Sequence, residues 1–158
     1  MSELKCKFLI VDDSEDDQFL LDRRLHRVFP KCAIVGSLDD GEAAIAYLSG
    51  RGVFSDRELF PFPDVMFLDV RMPGKDGLEV LRWIKEQSLQ NLCVVVLTSA
   101  NSASEADEAI QLGAHVHLSK QRMSDSSAAE LRQIVEKACS EVERAEVGTS
   151  ELIDGLMR

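Results

Sequence analysis

A chain of 158 residues, 45% of them hydrophobic, can bury the core of one globular domain and leaves little room for a second. Its formal net charge of -10 and pI near 4.7 exclude nonspecific attraction to nucleic acid, whose phosphates would repel it. No apolar run approaches membrane-spanning length, so association with a membrane is not expected.

Lys7-Phe8-Leu9-Ile10-Val11 reads as a strand and ends in the acidic pair Asp12-Asp13. Ser14 then caps a helix whose first turn, Glu15-Asp16-Asp17, complements the helix dipole. Phe19, Leu20, Leu25, Val28 and Phe29 give that helix its apolar side, and Pro30 ends it. Asp16 and Asp17 are read as solvated capping charges. Cys32 to Gly36 forms a second strand, followed by a helix through Ala43, Ala44, Ile45, Tyr47 and Leu48 that Gly50 and Gly52 stop. The connection from Arg51 to Pro63 exceeds the roughly two to six residues usual between a helix and a strand. Its Phe54, Phe60 and Phe62, set among Pro61 and Pro63, are expected to fold back onto the domain as loop anchors rather than form a docking surface.

Val65-Met66-Phe67-Leu68 is apolar without interruption, so both faces of this strand should be buried, with Asp69 at its carboxyl end. Pro73, Gly74 and Gly77 demand a turn, and Asp76 caps the helix marked by Leu78, Val80, Leu81 and Ile84, with Trp83 partly buried. Leu92 to Leu97 is a further strand ending in Thr98-Ser99. The helix expected over Asn101 to Gly113 is polar, with a thin stripe of Ala106, Ala109, Ile110 and Leu112, and should shift easily. Ala114 to Leu118 is the last strand and leads to Lys120. The final helix is expected to begin near Ser124 or Asp125, to bury Leu131, Ile134, Val135, Ala138 and Val142, and to break at Gly148.

If these strands are parallel and adjacent, three carboxylates, a hydroxyl and an ammonium converge on one sheet edge, where open parallel sheets bind ligands. Crowded carboxylates repel one another, and a hard, oxygen-seeking cation such as Mg²⁺ is their natural complement.

The set Asp12-Asp13, Asp69 with Met72-Pro73 and Asp76-Gly77, Thr98 and Lys120 resembles the receiver domain of two-component response regulators, across residues about 5 to 140. The long 51–63 connection is similar to that of small stand-alone receivers paired with phytochrome-type kinases. The resemblance implies an α/β, flavodoxin-like, doubly wound five-stranded parallel sheet of strand order 2-1-3-4-5 with five helices. The receiver would occupy 1–142, and 143–158 would extend the last helix or form a tail. It further implies that Asp69 accepts a phosphoryl group from a sensor histidine kinase or phosphotransfer protein. Asp12, Asp13, Asp69 and the backbone carbonyl of Arg71 would hold Mg²⁺, and Thr98 and Lys120 would contact the phosphoryl oxygens. No enzymatic activity is expected beyond Mg²⁺-dependent self-phosphorylation and autodephosphorylation. Three positions depart from the family pattern: Gln121 replaces the Pro usual after Lys120, Ser99 replaces Ala, and His117 stands where an aromatic switch residue partners Thr98.

With no helix-turn-helix segment evident, output is expected through contact with a downstream protein or a second copy of the chain. Two other classes compete: a phosphorylation-independent interaction module with the same fold, and a metal-dependent phosphohydrolase. The latter usually carries Asp-x-Asp after the first strand, which Asp12-Asp13-Ser14 lacks. Cys6, Cys32, Cys93 and Cys139 are scattered without a Cys-x-x-Cys pair, and Met1 to Lys5 shows no signal-peptide apolar region. Free thiols and a cytoplasmic location are expected.

Overall fold

The computed structural model describes residues 5–99 and 103–156, with side-chain environments given through Val142. Five parallel strands, β1 (Lys7–Val11), β2 (Ala33–Leu38), β3 (Val65–Asp69), β4 (Cys93–Thr98) and β5 (Val116–Ser119), form one sheet in the order β2-β1-β3-β4-β5. Between and after them lie α1 (Glu15–Val28), α2 (Gly41–Ser49), α3 (Gly77–Glu86), α4 (Ala103–Gln111), α5 (Lys120–Asp125) and α6 (Ala128–Leu156).

The continuous apolar runs are explained by burial on both faces. Alternate residues of each central strand enter different cores. Phe8, Ile10, Val65, Phe67 and Val95 join α1 and α6 through Leu21, Leu25, Leu131 and Val135. Leu9, Val11, Met66, Leu68 and Val96 join α2, α3 and α4 through Ala44, Leu48, Leu81 and Ala109. With both faces covered, the central strands β1, β3 and β4 can expose functional groups only at their ends.

Six α-helices occur among the described residues rather than the expected five. Ser119 caps a separate α5, its Oγ accepting from the Arg122 N–H at 3.0 Å; Ser126 is then extended, and Ser127 caps α6 by accepting from the Glu130 N–H at 3.2 Å. The last helix therefore starts at Ala128, and Ser124-Asp125 end α5. Gly148 does not break α6, which continues to Leu156. An interior glycine costs a helix only about 1 kcal/mol relative to Ala. Of the expected tail, Met157 and Arg158 lie outside the described residues.

Other details differ from expectation. Phe19 and Leu20 are each 59% exposed, and Leu21, Leu25 and Val28 form the buried stripe of α1. Ile110 is 43% exposed, leaving Ala106 and Ala109 as the buried residues of α4. The 51–63 connection does fold back. Phe54 lies 5.0 Å from the Tyr47 ring and 5.3 Å from Phe60, and Tyr47 donates its hydroxyl to the Pro61 carbonyl at 3.0 Å. Arg57 secures the loop by donating to the Tyr47 and Leu48 carbonyls at 2.8 and 2.9 Å, satisfying the end of α2. None of the four cysteines is in a disulfide; Cys32 and Cys93 are buried, and Cys6 and Cys139 are half-buried.

The turn after β3 is set by close backbone approach at Gly77, whose N–H donates to the Val70 carbonyl at 2.9 Å. A Cβ here would lie 2.8 Å from the Val70 Cα and nearer still to the Asp69 carbonyl oxygen. Gly77→Ala is therefore expected to cost on the order of 1–3 kcal/mol, the range for overpacking, and to displace Asp69. Urea denaturation checks this; an unchanged midpoint would show that the turn relaxes freely.

Candidate functional site

The sheet's parallel order places Asp12 and Asp13 beyond β1, next to β3 and Asp69, while Thr98 and Lys120 lie at the ends of the neighbouring β4 and β5. Asp12 is 1% exposed, and Asp69 and Thr98 are 5% exposed; Asp13 lies in solvent. The Asp12 N–H donates to the Leu38 carbonyl, and its Oδ1 accepts from the Ser14 N–H, both at 2.9 Å. The chain leaving β1 is thereby fixed.

Asp12, Asp13 and Asp69 each offer a carboxylate oxygen, and these lie within 4.8 Å of one another. Three hard oxygen donors, two of them buried, match the donor chemistry of a magnesium-like ion. The electrostatics agree. Burial raises the Asp69 carboxyl to a pKa of about 6, with the Asp12 charge adding to the shift and Lys120 opposing it. A cation at this cluster would relieve the same repulsion.

Lys120 Nζ lies 3.0 Å from Asp12, 3.3 Å from Asp69 and 2.7 Å from Asp17. Burial works against its charge, but the three carboxylates outweigh that cost and hold the ammonium above its ordinary range. Asp17 is the partner that sequence reasoning missed. It lies in the first turn of α1 as expected of a capping acid, yet its carboxylate also reaches Lys120 across 103 positions of sequence. Asp16 is exposed and is not a member of this carboxylate cluster.

Thr98 lines the pocket formed with Asp13, Asp69, Lys120, Arg71 and Glu105. The Arg71 backbone N–H donates to Asp69 Oδ1 at 3.3 Å, while its guanidinium grips Glu105 on α4. Glu105 is a second contributor that local spacing did not reveal. His117 is exposed on β5, outside this pocket.

Residues 8–136 match the family model described as response regulator receiver domain. The chain is 33% identical over 115 residues to the response regulator Rcp1 of Synechocystis, covering 72% of this chain and 76% of that protein. It is 30% identical over 131 residues to the DNA-binding transcriptional regulator NtrC of Salmonella typhimurium; 83% of this chain aligns, but only 24% of that longer protein is covered. Among solved structures, the phosphorylated cyanobacterial phytochrome response regulator RcpA superposes with a TM-score of 0.64 at 27% identity, over 85% of this chain and 91% of that one.

Proposed function

The chain belongs to the response regulator receiver domain family, and on that premise we propose that it is a phospho-accepting regulator with Asp69 as acceptor. The observation that carries this reading is the convergence of Asp12, Asp13 and Asp69 with Lys120 at one sheet edge. In the transfer, the P–N bond of a kinase or phosphotransfer-protein phosphohistidine breaks as a P–O bond forms to an Asp69 carboxylate oxygen. The product is a mixed anhydride.

Asp12, Asp13, Asp69 and the Arg71 backbone carbonyl would hold Mg²⁺, which when bound supplies positive charge to offset the phosphoryl oxygens. Lys120 provides a fixed cation already poised at Asp69, and Thr98 provides a hydroxyl for a phosphoryl oxygen. Uptake from acetyl phosphate in Mg²⁺, abolished by chelator, tests the reaction. A chain that stays unlabelled in Mg²⁺ with every small phosphodonor and with histidine-kinase phosphodonors would overturn it.

Asp13→Asn is expected to weaken Mg²⁺ binding by roughly tenfold or more, ~1.4 kcal/mol, whereas Asp16→Asn should leave it nearly unchanged. Isothermal titration would expose a misplaced site through equal losses in both variants.

The added phosphoryl charge would bias Thr98, α4 and β5, changing contacts with a downstream protein or a second copy through the α4, β5 and α6 surface. The small apolar contact of α4 supports this, since few buried side chains oppose its movement. A phytochrome-type sensor kinase is the first partner to test, on the likeness to RcpA. The location proposed is cytoplasmic; no described helix is long and apolar enough to cross a membrane.

His117 is proposed as the switch residue, moving inward on activation from its exposed position. If inward packing of the ring accompanies activation, His117→Ala should weaken beryllofluoride affinity at saturating Mg²⁺. An unchanged affinity would remove His117 from the switch.

A further inference from the structure

Arg71 and Glu105 line the same pocket as Asp69, Thr98 and Lys120, and they join the turn after β3 to the first turn of α4. Arg71 reaches only one carboxylate oxygen: its Nε and Nη2 lie 2.7 and 2.6 Å from Glu105 Oε1. Among the described residues, Glu105 Oε2 is buried without a hydrogen-bond partner. The two partners are unequally placed, the Arg71 side chain 74% exposed and that of Glu105 21% exposed. A carboxylate with one oxygen buried and unsatisfied is poorly settled, while an exposed guanidinium can swing without a large desolvation cost.

We propose that this pair is a charge latch in which Arg71 is a second cation for the phosphoryl group, held back by Glu105 until the phosphoryl group arrives. The inference rests on the phospho-acceptor reading and adds a phosphoryl-contacting role for Arg71 and a positioning role for Glu105. Phosphorylation exchanges the single charge of the Asp69 carboxylate for a phosphoryl group of approximately two negative charges. The phosphoryl oxygens then compete with Glu105 for a guanidinium suited to two-point recognition of oxyanions. Glu105, without its counter-ion and beside a new negative charge, is driven outward. Its motion carries the first turn of α4, which buries only Ala106 and Ala109. A further tether, Arg82 to Glu108 at 3.0 Å, lies one turn further along and outside the pocket lining, so α4 would pivot there. Charge in the pocket is thus converted into displacement of the helix.

The test is a double-mutant cycle on beryllofluoride affinity, read by fluorine NMR at Mg²⁺ concentrations verified to saturate each protein. Arg71→Gln should weaken binding about threefold to tenfold, and Glu105→Gln should strengthen it by a similar factor, as expected when one charge-assisted hydrogen bond is lost or made. In the Arg71→Gln background, Glu105→Gln should have no further effect, because the carboxylate acts by withholding Arg71. In the parent protein, beryllofluoride should also accelerate amide exchange over residues 103–111, and Glu105→Gln alone should reproduce part of that acceleration.

Equal changes from Glu105→Gln in both backgrounds would reduce its role to general charge repulsion and overturn the latch. Absence of any change would overturn it as well. Asp69→Asn separates the two levels: if the parent protein fails to bind beryllofluoride, or binds no better than Asp69→Asn, the acceptor reading falls and the latch with it. If only the cycle is additive, the latch alone falls.

Discussion

Asp69→Asn is expected to take up no phosphoryl group from acetyl phosphate and Mg²⁺ under conditions that label the parent protein. Four aspartates surround the site, and their surroundings distinguish them. Asp12 is committed to the Ser14 N–H and Lys120, and Asp17 is committed to Lys120 from the side of α1. Asp13 is exposed and, among the described residues, is not one of the three carboxylates paired with the ammonium. Asp69 alone combines the end of a central strand, Lys120 at 3.3 Å, the Arg71 N–H and the pocket lined by Thr98. An attacking carboxylate needs a fixed cation beside the oxygens it receives, and the Asn amide cannot replace it as nucleophile. Intact-protein mass spectrometry reads the result directly. Undiminished labelling of Asp69→Asn would transfer the nucleophile to another carboxylate.

The acceptor edge was legible because its determinants are local. A strand buried on both faces is an unbroken apolar run, and its end is marked by the first polar residue; Asp12, Asp69 and Thr98 all follow that pattern. The partners arriving from helices were not legible. Nothing near Asp17 distinguishes a capping acid that meets solvent from one that also meets Lys120, because the contact depends on how α1 lies across the sheet. Glu105 likewise looks like an ordinary acid in a polar helix until Arg71 is placed opposite it. Apolar content alone also misassigned Phe19 and Leu20, where the helical spacing of Leu21, Leu25 and Val28 was the better guide. The extra helix arose from paired caps at Ser119 and Ser127, too close together to separate by hydrophobic period.

Stability should carry the signature of the buried acceptor. In metal-free protein, Asp69 is raised from 3.8 to about 6, chiefly by burial and then by the neighbouring Asp12 charge. The folded state therefore holds this proton between about pH 4 and 6 while the unfolded chain has released it, and stability falls as pH rises through that window. By about pH 7 the deficit is on the order of 3 kcal/mol, present because the folded protein must ionise a buried carboxyl. Asp69→Asn keeps the shape and removes the charge. In chelator, the variant should match the parent near about pH 4 and exceed it increasingly until about pH 6.5, then hold a constant advantage. Comparing the two proteins cancels much of the titration of groups elsewhere. Mg²⁺ should narrow or reverse the difference at neutral pH, since a cation bound to the ionised cluster stabilises the parent by mass action and the variant has lost one of its ligands. Urea titrations across this range, with chelator and with Mg²⁺, give the curve. A stability difference independent of pH would show that Asp69 ionises normally and that the acidic cluster is not the source of strain a metal would relieve.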